Sequence, residues 1–268
     1  MDTRPIGFFD SGVGGLSIFR AVRRLLPAES MVYLADNAHF PYGALDDEAL
    51  RTLTTRLTAF LIGRDAKLIV TACNTATVHA LAHLRAVYPD LPFVGVVPVV
   101  KPLAEQTRTG VIALLATPAT ADSEYLARLV TEHAAKCRVI TVPCPGLAEL
   151  VEMGNAASAS TTPLLERFLA PVVTSGADVL GLGCTHYPFL RGRIQRLVGS
   201  GVRVIDSGDA VARRVRTVLV DRGTLVPAGR PVIYALHSTG DPAPLARAVR
   251  RYLRLPPVPV SQVDLGPP

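Results

Sequence analysis

The stretch KLIVTACNTATVHALAHLRAVY, Lys67 to Tyr88, sets the fold: a short apolar run ends in a cysteine, and a helical pattern follows at once. An apolar run of this length, bounded by turn residues, reads as a strand buried on both faces, and such strands belong to parallel sheets. The chain repeats the design at ADVLGLGCTHYP, Ala177 to Pro188, so Cys73 and Cys184 each follow a buried strand, one in each half of the sequence. The C-terminal ends of strands are where open α/β sheets build ligand crevices. Two thiols presented in this way suggest a pair of acid/base groups facing each other across one small substrate.

The same rhythm extends outward in both directions. IGFFD precedes LSIFRAVRRLLP, MVYLAD precedes DEALRTLTTRLTAFLIG, VIALLAT precedes SEYLARLVTEHAA, and RVIDSG precedes AVARRVRTVLVDRG. This alternation predicts an α/β class with parallel sheets covered by helices. The Pro-rich stretch near Pro98 and Pro102 and the turn Asp206-Ser207-Gly208 are the expected crossing points between two domains. NAASASTTP, residues 155–163, reads as the opening of a helix, and the tail PPVPVSQVDLGPP as extended or disordered.

Composition narrows the class. The 268 residues are 49% hydrophobic, yet no run approaches the about 18 apolar residues of a membrane span. The N-terminus MDTRPIGFFDSG carries an acid at position 2 and lacks a signal-peptide pattern, so a cytoplasmic protein is expected. Four cysteines are too few for a disulfide scaffold, no CxxC is present, and Cys137 and Cys144 read as core residues. Net charge is +6, carried mostly by arginines on helix-like segments such as FRAVRRLLP, ARRVRTVLVDR and LARAVRRYLRL. With aromatics at 6% and no Trp, stacking platforms for nucleic acid are scarce, and nucleic-acid binding is not expected as the main role. An anionic small substrate suits the charge equally well.

The first strand ends in Asp10-Ser11-Gly12-Val13-Gly14-Gly15. Those glycines either let backbone N–H groups approach an anion or form a turn with Asp or Ser capping the next helix. The Lys-Ser/Thr ending of a P-loop is missing, which argues against a nucleotide. His79 and His83 are spaced as a metal pair would be, but the residues between them lack the acid of HExxH, so a helix face is expected and no metal site.

Inverting an α-carbon requires one group to remove a proton from one face and another to return one to the opposite face. A thiol, with an unperturbed pKa of about 8.5, can serve in either protonation state near neutrality. Its neighbours must hold it in the needed state and stabilise the carbanionic transition state. Asp10 lies at a strand end, as Cys73 does, and His186 lies two residues beyond Cys184.

The segments DSGVGGLS, YLADNAHFPYG, ACNTAT, ATPAT, CPGLAELVE, GLGCTHYPFL, IDSGDAVA and STGDPAPLARAV occur in this order from about Ile6 to Leu255. As a set they resemble the glutamate racemase family of cofactor-independent amino-acid racemases. The resemblance implies two pseudo-symmetric α/β domains, each a mostly parallel sheet flanked by helices, with the active site in the cleft between them. Residues 1–97 and 208–268 would form one domain and 98–207 the other. It further implies interconversion of L- and D-glutamate without a cofactor, in the service of peptidoglycan synthesis, and a possible homodimer.

By the same resemblance Cys73 and Cys184 are the proton-transfer pair, with Asp10 assisting the first and His186 and Glu152 the second. Asp10, Ser11, Tyr42, Gly43, Asn74, Thr75, Thr185 and His186 match its substrate-contact motifs, and Thr117 and Thr120, in ATPAT, are expected as further carboxylate donors. Asp36 reads as a structural residue of the ADNAHFPYG loop. Val78 and His79, where smaller residues are usual, and the absence of a basic residue after PYG depart from the family pattern. Three rivals stay open: an aspartate or broader amino-acid racemase, a racemase-fold protein with a regulatory binding role, and a thiol hydrolase.

Overall fold

The computed structural model describes residues 2–253, 255 and 258–265. In chain order its elements are β1 (Ile6–Asp10), α1 (Leu16–Leu25), β2 (Met31–Ala35), α2 (Asp47–Ile62), β3 (Leu68–Thr71), α3 (Asn74–Val87) and β4 (Phe93–Gly95). There follow α4 (Val100–Gln106), β5 (Val111–Ala116), α5 (Pro118–Ala121), α6 (Glu124–His133), β6 (Arg138–Pro143), α7 (Leu147–Glu152) and α8 (Thr161–Thr174). The last are β7 (Val179–Leu182), α9 (Arg191–Val198), β8 (Arg203–Asp206), α10 (Gly208–Asp221), β9 (Tyr234–Ser238), α11 (Ala243–Ala248) and β10 (Val260–Gln262).

The chain divides into two compact units, Met1–Val96 with Gly208–Pro268, and Val97–Ser207. The first holds a six-stranded sheet in the order β10-β9-β2-β1-β3-β4, and the second a four-stranded sheet in the order β6-β5-β7-β8. All strand pairs among the described residues are parallel. The runs β2-β1-β3-β4 and β6-β5-β7-β8 follow one pattern: the second strand lies on one side of the first, the third and fourth on the other. Successive connections therefore diverge at β1/β3 and at β5/β7, which opens a crevice beyond the strands' C-terminal ends. Cys73 follows β3 and Cys184 follows β7, so the two thiols occupy equivalent places in the two sheets.

Burial explains why these runs are strands. Every residue of β1, β3 and β7 is buried, as a central strand with helices on both faces requires. In β1 the alternating side chains serve opposite layers. Phe8 packs on Phe19 of α1, with ring centroids 5.3 Å apart. Phe9 points into a cluster with Leu57, Ile69, Leu84 and Cys73. Helix starts are capped where the sequence supplies an oxygen: Asp46 accepts from Ala49 N at 2.8 Å, and Ser123 accepts from Leu126 N at 3.2 Å.

Two features tie the distant stretches of the first unit. The fully buried ammonium of Lys67 lies 2.7 Å from Glu29 Oε2 and donates to the carbonyls of Asp2 and Thr224. In the tail, Val260–Gln262 adds a parallel strand to β9, and Ser261 Oγ lies 2.6 Å from His237 Nδ1. That part of the tail, expected to be extended or disordered, is a sheet strand fixed by a partner the local sequence does not reveal. Pro256, Pro257 and residues 266–268 of the tail lie outside the described residues.

Candidate active site

In the first unit β1 delivers Asp10 to the crevice, wholly buried, and β3 delivers Cys73, 6% exposed. The β1 turn folds back on itself: Gly12 N donates to Asp10 Oδ1 at 2.8 Å, while the buried Tyr33 hydroxyl donates to the Gly12 carbonyl at 2.7 Å. Gly15 is required here, because a Cβ would lie 2.7 Å from the Tyr33 hydroxyl and 2.8 Å from Asp10 Cβ. Cys73 is the residue before the first turn of α3, with extended backbone and no side-chain capping bond. Its sulfur lies 4.0 Å from Ser11 Oγ. The N–H groups of a helix start carry partial positive charge, and Cys73 stands at that end of α3.

Asn74 and Thr75 open α3, both buried, and Asn74 Nδ2 donates to the Val96 carbonyl at 3.4 Å. Tyr42 and Gly43 form a single 3₁₀ turn after Pro41. The Tyr42 side chain is buried and its hydroxyl donates to Asp36 Oδ2 at 2.8 Å, which leaves the exposed backbone of Gly43 at the loop surface. Burial first, and then the adjacent Asp36 carboxylate, hold the Tyr42 hydroxyl well above the usual tyrosine pKa. Asp36 Oδ1 also receives Thr239 Oγ1 at 2.6 Å and lies 2.8 Å from His39 Nδ1. Asp36 thus ties the ADNAHFPYG loop to the STGD turn after β9, a link between two motifs that the sequence shows only separately. The role of Tyr33 was not legible from the sequence either, because an aromatic in a buried strand looks like ordinary core.

His79 and His83 join helices: His79 Nδ1 is 2.8 Å from Asp47 Oδ1, and His83 Nε2 is 3.2 Å from Thr55 Oγ1. Both contacts run from α3 to residues of α2. Among the described residues no group of three or more His, Cys, Asp or Glu is arranged to hold a metal ion.

In the second unit three sequence-predicted residues lie side by side. Cys184 Sγ lies 3.7 Å from His186 Nδ1, and His186 Nε2 lies 2.8 Å from Glu152 Oε2 at the end of α7. Burial opposes a charge on His186, but the bonds to Cys184 and Glu152, and their negative charges, outweigh it and hold the imidazole well above its ordinary pKa. A protonated His186 ring is thereby favoured. Thr185 is buried beside them. Thr117, the residue after β5, caps α5, and its hydroxyl donates to Thr120 Oγ1 at 3.0 Å.

The strand leading to Cys184 is held tightly. Gly183 N donates to the Leu115 carbonyl at 2.7 Å, and a Cβ on Gly183 would lie 2.8 Å from that oxygen. Cys144 is buried beneath, its thiol pushed up to about 12 by burial and by the neighbouring Cys184 charge, which keeps it neutral. The Tyr187 hydroxyl donates to the Cys144 carbonyl at 3.4 Å.

Each unit thus places one buried cysteine in a polar setting suited to proton transfer. Residues 12–215 match the Asp/Glu/Hydantoin racemase family. The chain is 46% identical to a glutamate racemase of Stutzerimonas stutzeri over 245 residues, 91% of this chain and 92% of that protein. Among solved structures it is similar to a glutamate racemase isoform of Bacillus anthracis, with a TM-score of 0.88, 31% identity and 99% of both chains covered. It is also similar to a Francisella tularensis glutamate racemase solved in complex with D-glutamate, with a TM-score of 0.85, 25% identity and 99% of both chains covered. The chain belongs to the Asp/Glu/hydantoin racemases, and within them to the glutamate racemase family.

Proposed function

We propose that the protein interconverts L- and D-glutamate by proton transfer between two thiols, without a cofactor. The observation that carries the reading is the equivalence of Cys73 and Cys184, each buried at the end of the third strand of the same four-strand pattern. In one direction a thiolate removes the α-proton and the C–H electron pair passes to the α-carbon and its carboxylate. The opposite thiol then donates its proton to the other face. The enzyme is left with the protonation states of the two sulfurs exchanged, ready for the reverse reaction. By family resemblance Cys73 acts on the D-enantiomer and Cys184 on the L-enantiomer.

Asp10 holds the first thiol's surroundings, and the His186–Glu152 pair holds the second. Backbone N–H groups with Ser11, Asn74, Thr75, Thr117, Thr120 and Thr185 are proposed to receive the two carboxylates. The D-glutamate bound by the Francisella relative supports a dicarboxylic substrate, and supply of D-glutamate for peptidoglycan is the expected cellular use.

Optical rotation with L-glutamate and L-aspartate, each at equal concentration and without added cofactor, tests the reading. Racemisation of glutamate at least about a hundredfold faster is expected, because a substrate one methylene shorter leaves a carboxylate-binding group unmet. Equal rates would favour a broad amino-acid racemase, and no rotation change with either would sink the proposal.

A further inference from the structure

The charge of this protein is concentrated in one place that proton transfer does not use. Helix α1, helix α10, and α11 with the π-helical turn Val249–Leu253 carry nine arginines and two aspartates, a net +7. The whole chain carries +6, so these segments more than account for it and the remainder is slightly acidic. They are also neighbours in the first unit: α1 packs on α10 and on the π-helical turn, where Arg23 Nη1 donates to the Leu253 carbonyl at 3.0 Å. Eight of the nine arginines, all but Arg23, are exposed. One of the two aspartates, Asp209, is paired with Arg24.

We propose that this face docks double-stranded nucleic acid through its phosphate backbone. Guanidinium groups bind phosphate oxygens in a bidentate manner, and a face built of arginine without lysine suits that geometry. A membrane surface fits less well. Interfacial helices insert an apolar face, whereas these helices already bury theirs, with Phe19 and Val22, Val215 and Leu219, and Leu245 and Val249 inside. Single-stranded nucleic acid needs exposed aromatic platforms, and this face has none among its exposed residues. Backbone contact with a duplex needs neither, which is why low aromatic content does not weigh against it.

The test is fluorescence anisotropy of the full-length protein with a mixed-sequence 30-base-pair DNA duplex, from 50 to 200 mM salt. About five contacted phosphates would weaken binding several-hundredfold across that range. The variant Arg20→Gln/Arg213→Gln/Arg250→Gln/Arg251→Gln should bind at least tenfold more weakly and show a shallower salt slope, with racemisation unchanged. A control removing the same number of charges from the second unit, Arg128→Gln/Arg138→Gln/Arg196→Gln/Arg167→Gln, should retain most of the binding. Absence of binding at 50 mM salt would overturn the proposal. So would equal loss in the control, or equally tight binding of polyglutamate or of phosphatidylserine vesicles.

Discussion

His186 stands between Cys184 and Glu152, and the proton it holds is what a substitution at Glu152 would move. Glu152→Gln removes one of the two negative neighbours that raise the imidazole pKa. Activity that depends on protonated His186 should then fall at lower pH than in the parent, so the alkaline limb of the kcat/KM profile moves down. Loss of a charge-assisted bond of about 1.5–3 kcal/mol corresponds to about a 10- to 150-fold drop in kcat/KM. The drop must be equal for L- and D-glutamate, because enantiomers have equal free energy in water. Unequal losses would mean the assay is not following racemisation, and an unmoved limb would remove His186 from the proton path. For stability the sign follows from a raised folded pKa: the stabilisation is fully present below the ordinary value of 6.5 and is lost as pH rises through the folded value.

Tyr33 makes a different kind of prediction at the same scale. Its hydroxyl holds the Gly12 carbonyl, and Gly12 N holds Asp10. Tyr33→Phe should lower kcat about 2- to 10-fold with KM nearly unchanged, as loss of one net hydrogen bond of about 0.5–1.5 kcal/mol implies. Steady-state kinetics decides it. The strand-end placement of Cys73 and Cys184 was legible in sequence because each follows a continuous apolar run. Tyr33 and Thr239 were not, because their partners are 21 and 203 positions away.

Strand β7 shows how an element fixes the atom proposed to react. Its extension past Leu182 is locked to β5 by the Gly183 N–H bond to Leu115, with no room for a side chain. Gly183→Ala should cost about 1–3 kcal/mol of stability, since the opposing atom is backbone and must shift. It should also lower kcat by displacing Cys184; thermal unfolding and kinetics on the same sample check both. Another element-scale contact lies at the start of the same strand, where Asp178 accepts from Thr107 Oγ1, Thr109 Oγ1 and Arg108 N. Burial opposes its charge, but those hydrogen bonds prevail and hold the carboxylate at about 2. A depressed folded pKa stabilises above the ordinary value of 3.8 and is lost as pH falls toward 2. Asp178→Asn should therefore lower the urea midpoint at pH 6, and the gap from the parent should close on approaching pH 2. A gap constant with pH would mean that packing, not charge, is responsible. β1, β3, β5 and β7 were readable because burial on both faces leaves a continuous apolar run. β10 was not, because prolines flank it and its pairing with β9 depends on a distant strand.

Across the whole molecule, each unit is one sheet with its own crevice and its own thiol. The first unit is assembled from two separated stretches of chain, and the buried Lys67 amine touches both, through Asp2 and Glu29 on one side and Thr224 on the other. Lys67→Met leaves Glu29 as a buried, uncompensated acid and should cost about 3–5 kcal/mol, measured by denaturant unfolding. Alternation of strands and helices made the α/β class legible. The order β2-β1-β3-β4 and its echo in β6-β5-β7-β8 were not, because local sequence does not record on which side of a strand the next one is laid.

The account rests on two thiols serving opposite faces of one α-carbon, and hydrogen isotope tracing reads that directly. L-glutamate is incubated with the protein in D₂O and stopped at low conversion, and each enantiomer is then analysed for α-deuterium. The account predicts that D-glutamate carries solvent deuterium from the first turnovers while the remaining L-glutamate keeps its proton. D-glutamate retaining its original α-proton, or deuterium appearing equally in both enantiomers at low conversion, would contradict it.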